Sequence, residues 1–460
     1  MGTRGRARLA VVLLVGVLAT AACSGRTTVE FETRALRGTA AGLTTTTLAD
    51  GGTPSLAGVI GDAGSSAVSG SAAATGATAA GSGTSGAGAA AAGGPDVIKL
   101  GTVLPLQGGQ RDFGEPILRT TQAFIDELNA AGGINGARVE LIAYNACLVC
   151  QADALEATKR LVEHDHVFAL VNTYVMVVAF QPVIPYLVQK GVPLIQGGAE
   201  NQTSDALSPI NFATLPTGAF YGKFIPAMVT RYAHLSKVAI TYVNVPTESV
   251  GVPLLRDELE REGVEVVDVE PVEAAEDAVT NMDSIVTRMR VRGAQGVVAS
   301  NPVLLIYGRL AAARQQWNDA QWVGPAAWSA LVEDSCAATC DDVVLTETAG
   351  LSFTDRPSPQ MRQFLDVMAR RYPGGRTTGH ELAAWVGMQL LTETMRRSGP
   401  DRDAFVRTLN TTTNLDLGTT SPLTFDPDRH LGGSQSTLLR LKGGRYVRMS
   451  DPLSFGELRT

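Results

Sequence analysis

Residues 127–141 read ELNAAGGINGARVEL, in which a helix-like stretch runs into glycines and the chain then restarts as an alternating strand. Gly132 is well placed to end the helix in a left-handed cap. Gly133 and Gly136 allow the connection to turn back, because glycine adopts positive φ without steric cost. The next strand, predicted over 137–146, can then lie parallel to the strand that precedes the helix. The turn therefore predicts a β–α–β unit.

The same alternation of strand and helix extends outward from this turn. Stretches with helical spacing separate four predicted strands, which read VIKLGTVLPL, ARVELIAYNA, VFALVN and VPLIQGG. This order is typical of a parallel sheet covered by helices on both faces. The alternation of helix and strand begins again after Pro216, with a helix and then the strands KVAITYVN, VEVVDVE, GVVASN and QWVGPAAW. Helices are then predicted at 358–372, 380–397 and 401–412, and short strands near 437–449.

The length and charge of the chain limit its class. About 365 residues follow Asp96, more than one hydrophobic core usually serves, so we predict an α/β fold with two similar doubly wound lobes. The formal net charge of -7 disfavours a nucleic-acid partner, because proteins that bind nucleic acid normally have a basic patch on their surface. Five cysteines in 460 residues exclude a small disulfide-stapled scaffold.

The N-terminus has the pattern of an export signal. Arg4, Arg6 and Arg8 precede the apolar run LAVVLLVGVLA, and the small residues TAAC follow. The end of this segment resembles the lipobox of bacterial lipoproteins, which implies a signal peptide over 1–22 and a lipid on Cys23. The alternative is an ordinary cleaved signal with a cysteine there by chance.

A segment poor in large apolar residues separates this signal from the globular part. Residues 23–95 are dominated by Gly, Ala, Ser and Thr, so they cannot bury enough surface to offset the entropy of ordering. We interpret them as a disordered tether that precedes a domain at 96–460. No later run of about 18 apolar residues occurs, so the lipid is the only membrane contact that we predict.

From residue 97 the chain resembles the type I periplasmic binding proteins, in particular the branched-chain amino acid binding proteins of ABC transporters. The resemblance rests on an ordered series: the stretch from IKLGTVLPLQGG to ELNAAGGINGARVEL, then HVFALV, KGVPLIQGGAE, INFATLPTGAFYG, KVAITYVN, GVVASN and WVGPAAW. It covers nearly all of 97–450.

The family implies two lobes joined by three chain crossings, with a small molecule held in the cleft between them. By this analogy lobe 1 covers about 97–216 and 352–421, and lobe 2 covers about 217–351 and 422–460. The implied protein is not an enzyme, uses no cofactor or metal, acts as a monomer and delivers its ligand to ABC permease subunits. It would be exported and anchored to the outer face of the cell membrane by its N-terminal lipid.

Loops that follow strands are where such a fold binds ligands, since the carboxyl ends of parallel strands meet at one edge of the sheet. Phe113 falls where relatives often have an aromatic residue against the ligand; the alternative is a core wedge. The predicted ligand-binding residues are Gln107, Gln110, Phe113, Thr173, Tyr174, Met176, Val177, Gly198, Ala199, Glu200, Tyr221, Val250, Asn301 and Trp328.

The chain departs from the amino-acid-binding relatives at three points. Val175 to Val178 stand where relatives usually present Ser or Thr, and Val250 stands where they commonly have tyrosine. Residues 326–328 read AAW where relatives often place an acid for the ligand ammonium. An ammonium buried without a paired charge is costly. We therefore expect a less polar or uncharged ligand, unless Glu200, Glu248 or Glu333 supplies the charge.

The cysteines of the mature domain form two local pairs. Cys147 and Cys150 lie in CLVC, and Cys336 and Cys340 lie in CAATC. In an exported protein each pair is interpreted as a short-loop disulfide of modest stabilising effect. A redox role for CLVC is the alternative, although no thioredoxin-like unit surrounds it.

Other motifs do not support catalysis or metal binding. HELAA at 380–384 lacks the second histidine of a metalloprotease helix, and no G-x-S-x-G elbow is present. His164 and His166 are too close together for a zinc finger. We interpret His234 and His430 as surface residues.

The leading hypothesis is a lipid-anchored substrate-binding component of an ABC importer that binds a small molecule by closure. A ligand sensor of the same fold for a signalling receptor is the first alternative. An exported hydrolase is the second, and the lack of a recognisable nucleophile or metal set disfavours it.

Overall fold

The turn after the first helix, α1 (Arg111–Ala130), has the conformation that its glycines predict. Gly132, Gly133 and Gly136 adopt φ values of 99°, 74° and 89°. A Cβ on Gly133 would overlap the backbone carbonyl of Ala137, so only glycine fits there. The chain consequently returns beside the preceding strand and pairs with it in parallel, as the sequence predicts.

The computed structural model describes residues 96–148, 150–174, 180–196, 209–214, 218–243, 251–272, 282–300, 316–317, 319–325, 341–347, 357–375, 377–443 and 445–454. The predicted signal peptide and tether lie outside these ranges. Within them, no helix combines the length and the apolar character that a membrane span requires.

The first part of the domain alternates strands and helices as the sequence predicts. Around α1, its elements are β1 (Val97–Leu104), β2 (Arg138–Asn145), α2 (Gln151–Lys159) with a π-helical turn at Arg160–His164, β3 (Ala169–Val171), α3 (Val183–Lys190), β4 (Leu194–Gln196) and β5 (Asn211–Ala213).

The predicted restart is also present. It comprises α4 (Gly218–Arg231), β6 (Lys237–Val243), α5 (Gly251–Arg261), β7 (Glu265–Val272), α6 (Met282–Val291), β8 (Gly296–Ala299), β9 (Gln321–Pro325) and β10 (Val344–Glu347). The last part contains α7 (Pro359–Arg371), α8 (Gly379–Ser398), α9 (Arg402–Leu409), β11 (Gln435–Lys442), β12 (Arg445–Arg448) and β13 (Leu453–Ser454).

The strands form two sheets, which confirms the predicted α/β class. The first sheet has the order β2-β1-β3-β4-β5, and all its strands are parallel. The second has the order β12-β11-β10-β9-β8-β6-β7, in which β11 runs antiparallel to both of its neighbours, β10 and β12. The short strands of the first sheet are fully buried, as expected for strands covered on both faces.

The core of the first sheet is completed by α8. Trp385, in the middle of this helix, is 1% exposed and contacts Phe124 of α1 edge-to-face with 4.8 Å between ring centroids. Phe364 of α7 contacts the same indole at 5.3 Å. A helix more than 240 residues away in sequence therefore completes the layer that α1 begins.

One prediction about a histidine is wrong. His430 was expected at the surface, but it is 1% exposed and stacks on Phe212 of β5 with 4.2 Å between centroids. Its carbonyl accepts a hydrogen bond from the Ala213 amide, and Phe425 also contacts the Phe212 ring. Residues 423–431 thus pack on the first sheet. His234, by contrast, is exposed as expected.

The glycine turn yields a stability prediction. Gly133→Ala places a Cβ against the backbone of Ala137 and also strains a positive φ, so it should cost about 3 kcal/mol or more. Gly136→Ala is the matched control, because its Cβ would meet open space and only the φ penalty of about 1–2 kcal/mol remains. Urea unfolding of the two variants measures the difference. Equal losses of unfolding free energy in the two variants would show that the close approach of Gly133 to the Ala137 backbone does not limit the residue at position 133.

Candidate functional site

The carboxyl edge of the first sheet begins with the loop between β1 and α1. Phe113 lies in the first turn of α1 and is half-buried, and Gln107 is exposed. Gly114 is required there, since a Cβ on it would overlap the Pro105 carbonyl. Gln110 accepts a hydrogen bond through Oε1 from the Leu148 amide at 3.0 Å. The Gln110 side chain thus braces the neighbouring cysteine loop.

The second loop at this edge follows β3. Thr173 is 5% exposed and accepts a hydrogen bond through Oγ1 from the Val103 amide at 3.3 Å. The Tyr174 amide donates to the Val103 carbonyl at 3.0 Å. Tyr174 itself is half-buried and packs on the small cluster of Leu104, Ile117 and Ala384. Thr173 and Tyr174 are both predicted ligand contacts. The Thr173 side chain is buried, whereas that of Tyr174 is partly exposed at this edge.

Asn172 holds this second loop in place. Its Nδ2 donates to Thr121 Oγ1 at 3.0 Å and to the Ala384 carbonyl at 2.9 Å, which joins β3 to α1 and to α8. Its amide donates to the Ile195 carbonyl of β4 at 2.9 Å. The residue has φ +49°, a conformation that asparagine tolerates better than most side chains.

His380 joins the site, although sequence reasoning missed it. Its ring meets the Tyr174 ring edge-on, with 5.2 Å between centroids and 85° between planes. Burial lowers the pKa of His380 to about 4, so the imidazole is neutral at physiological pH. In the sequence, His380 begins HELAA, a motif that is incomplete as a metal site and that gives no indication of a contact with Tyr174.

The position of His380 depends on a buried ion pair at the start of α8. Glu381 is fully buried, and its Oε1 accepts from the Arg119 Nε of α1 at 2.8 Å. Its other oxygen accepts from the Thr378 amide at 2.8 Å, which closes a capping box at the helix N-terminus. The Arg119 guanidinium also lies 4.9 Å from the centre of the Tyr372 ring. This network fixes the first turn of α8 against α1.

Most of the other predicted site residues lie outside the described residues. Tyr221 belongs to α4, and its side chain is among those that are not described. Those outside the described ranges are Met176, Val177, Gly198, Ala199, Glu200, Val250, Asn301, Trp328, Cys23, Cys336 and Cys340.

The structure brings together one of the two predicted cysteine pairs. The Sγ atoms of Cys147 and Cys150 are at bonding distance, and the Cα atoms are 5.2 Å apart. Over the described ranges, no group of three or more His, Cys, Asp or Glu is arranged to hold a metal ion.

Two neutral rings and a small apolar cluster thus meet beside the loops at the carboxyl edge of the first sheet. Tyr174 and His380 can pack on an apolar or aromatic body, and each can form hydrogen bonds without carrying charge. Nearby, the Asn172 Nδ2, the Thr173 Oγ1 and the Glu381 carboxylate form hydrogen bonds that fix backbone and helix positions.

The Glu381 pair yields a second prediction. Glu381→Gln removes the charge opposite Arg119, so it should lower the free energy of unfolding by about 2–3 kcal/mol. Glu393→Gln on the same helix is the control. The pair of Glu393 with Arg397 is exposed and should contribute less than about 0.5 kcal/mol. Urea unfolding of both variants measures this, and comparable losses would contradict a structural role for the buried pair.

The lowered pKa of His380 yields a third prediction. The unfolded histidine titrates near its ordinary value of 6.5, and the folded one near 4. The folded protein should therefore lose about 3 kcal/mol of stability from this group as the pH falls from 6.5 to 4. His380→Gln should remove that loss, whereas His234→Gln at an exposed position should keep it. Urea unfolding at several pH values tests this, and parallel pH slopes for all three proteins would contradict it.

Comparison with known proteins agrees with this fold. The family model described as "Periplasmic binding protein" matches residues 97–445. No curated protein sequence matches the chain.

Solved structures of similar fold include three binding proteins. LivJ from Streptococcus pneumoniae, in complex with isoleucine, has 21% identity and a TM-score of 0.66, over 78% of this chain and 99% of its own. The leucine binding protein LivK from Thermotoga maritima has 14% identity and a TM-score of 0.61, over 78% of this chain and 99% of its own. A solute binding protein from R. palustris, in complex with benzoate, has 16% identity and a TM-score of 0.63, over 78% of this chain and 98% of its own.

At these identities the solved structures show the fold, and the family model covers three quarters of the sequence. The chain belongs to the periplasmic binding protein family, and it has the type I fold of the LivJ-like solute-binding proteins.

Proposed function

We propose that this protein is the extracytoplasmic solute-binding component of an ABC importer, and that it captures a small molecule between its two lobes without chemical change. The observation that carries the proposal is the meeting of Tyr174 and His380 at the carboxyl edge of the first sheet, beside the loops after β1 and β3. Ligands of open α/β sheets bind at this edge. The two rings come from segments far apart in sequence, so the fold itself assembles them.

The proposed ligand carries no α-ammonium group. The rings of Tyr174 and His380 are neutral, and residues 326–328 read AAW where amino-acid-binding relatives often have an acid. The benzoate complex of the R. palustris protein indicates that this fold can hold a small aromatic acid. We therefore favour a ligand with an aromatic or apolar body. A carboxylate from Glu200, Glu248 or Glu333 would be the means of accepting an ammonium instead.

Binding would act through closure of the two lobes. A solute that contacts both lobes stabilises the closed form by its differential affinity for that form. The Asn172 and Glu381 networks hold lobe 1 in one arrangement before the ligand arrives, which lowers the entropy cost of binding. The closed form would then be recognised by permease subunits, and opening would release the ligand.

We also propose the remaining features of the exported form. Cys23 carries a lipid, residues 23–95 separate the domain from the membrane, and Cys147 and Cys150 form a disulfide in the oxidising compartment. We further propose that the last lobe crossing lies after Leu431 and not near residue 421 as the resemblance implies, because residues 423–431 pack on the first sheet.

A thermal-shift screen of the full-length protein tests the proposed function. A true ligand at 100 times its dissociation constant should stabilise the fold by about 2.7 kcal/mol. Small aromatic and short-chain acids or amides should include stabilising molecules, whereas leucine, isoleucine and valine should not.

The site assignment is tested with two tyrosine variants. Tyr174→Ala should weaken binding of a stabilising molecule at least tenfold, because one ring of the pair is lost. Tyr186→Phe is the control, since the Tyr186 hydroxyl bonds Glu163 at the surface. Stabilisation by branched-chain amino acids would overturn the ligand class. Binding that is indifferent to Tyr174 would overturn the site.

A further inference from the structure

The cysteine loop, residues 146–150, is joined to the loop between β1 and α1 at the carboxyl edge of the first sheet. Asn145, the last residue of β2, accepts a hydrogen bond through Oδ1 from the Leu106 amide at 2.8 Å. The Leu148 amide donates to Gln110 Oε1 at 3.0 Å. Each segment therefore contributes a side-chain oxygen that fixes a backbone amide of the other, and the spacing between the two segments is set by both bonds.

Leu106 connects this pair of bonds to the Tyr174 ring. The buried cluster of Leu104, Ile117 and Ala384 has both of these residues packed against it. Protein interiors are close-packed, so they transmit a local shift to neighbouring side chains. A displacement of the Leu106 backbone would therefore change the packing on which the position of Tyr174 depends.

The disulfide spans a loop that is fixed at both ends. At one end, the Ala146 amide extends β2 by donating to the Leu104 carbonyl at 3.0 Å. At the other end, Cys150 directly precedes α2, and its carbonyl accepts from the Ala154 amide at 3.0 Å. Besides the disulfide, the described contact that closes the turn is one hydrogen bond of 3.3 Å from the Cys150 amide to the Cys147 carbonyl. Because disulfide geometry is specific, the covalent link limits the positions that the loop backbone can take.

We propose that the disulfide of the cysteine loop holds the loop between β1 and α1 in its binding position. Asn145 and Gln110 are the positioning residues, and opening of the disulfide loosens the packing beneath Tyr174. The inference rests on the proposed disulfide, and on the proposed function for its meaning in solute binding. The contacts that carry it involve no solute.

A small external dithiol is the class of reagent that would open the bond. Cys147 and Cys150 are only half-buried, so such a molecule can approach them. One thiolate of the dithiol attacks a sulfur of the disulfide and forms a mixed disulfide, and its second thiol then displaces the protein sulfur. Two electrons and two protons pass to the two cysteines, and the dithiol leaves as a cyclic disulfide.

Hydrogen–deuterium exchange without any solute tests the effect on the loops. In the full-length protein, Cys147→Ser/Cys150→Ser should accelerate amide exchange about fivefold in the peptides that cover 104–113 and 146–151, as expected for lost hydrogen bonds. Reduction of the wild-type protein with dithiothreitol should reproduce this change. The peptide that covers 131–138 lies at the opposite edge of the sheet and is the internal reference, which should not change.

The Tyr174 ring reports whether the effect reaches the proposed site. The chain has nine tyrosines, so labelling with 3-fluorotyrosine yields a small set of ¹⁹F signals, and Tyr174→Phe identifies that of Tyr174. The double serine variant should shift or broaden this signal. Cys336→Ser/Cys340→Ser, which removes the other predicted pair, is the matched control and should leave the signal unchanged.

The role of Asn145 is tested by a conservative rescue. Asn145→Ala should accelerate exchange of the 104–113 peptide and shift the Tyr174 signal, because the acceptor of the Leu106 amide is lost. Asn145→Asp should keep both near the wild-type values, since a carboxylate oxygen can still accept from that amide. Equal effects of the two substitutions would overturn the positioning role of Asn145.

Two results for the double serine variant would overturn the proposal. One is unchanged exchange in the two loop peptides. The other is faster exchange with an unchanged Tyr174 signal, because the disulfide would then order only its own loop. Neither measurement uses a solute, so failure of the thermal-shift screen would overturn the proposed function and leave this result unaffected.

Discussion

The side-chain amide of Asn172 joins the three elements that form the carboxyl edge of the first sheet. It donates to Thr121 of α1 and to the Ala384 carbonyl of α8, while its own backbone continues β3. Thr173 and Tyr174 follow Asn172 directly, where the chain leaves the sheet at the end of β3. The position of Tyr174 and the position of α8 are therefore set by the same side chain. Because a buried polar group loses much when its partners move, this edge tolerates few alternative arrangements.

The ion pair of Glu381 with Arg119 adds a second constraint on the same helix. Asn172 holds α8 at Ala384, and Glu381 holds it one turn earlier and also caps its N-terminus. His380 lies next to this carboxylate and faces Tyr174. The carboxyl edge of the first sheet, where we propose the binding site, is thus held by long-range contacts within the protein, and such preorganisation favours tight binding.

Much of the fold could be predicted from the sequence, because its signals are local. The glycines at 132, 133 and 136 and the alternation of strand and helix depend on neighbouring residues, and they predicted a parallel α/β sheet. The site was less predictable. Tyr174 was predicted as a candidate from its place after a strand, but His380 contacts it from more than 200 residues away in sequence, and no local pattern predicts that contact. His430 was misplaced for the same reason, since its burial depends on the return of 423–431 to Phe212.

The central claim is that a solute closes the two proposed lobes, and that the carboxyl edge of the first sheet is already organised before they close. Small-angle X-ray scattering of the full-length protein, with and without a saturating solute from the thermal-shift screen, tests it most directly. The account predicts a smaller radius of gyration with the solute, and Tyr174→Ala should reach the same decrease only at a solute concentration at least tenfold higher. An unchanged scattering profile of the wild-type protein at saturation would contradict the account.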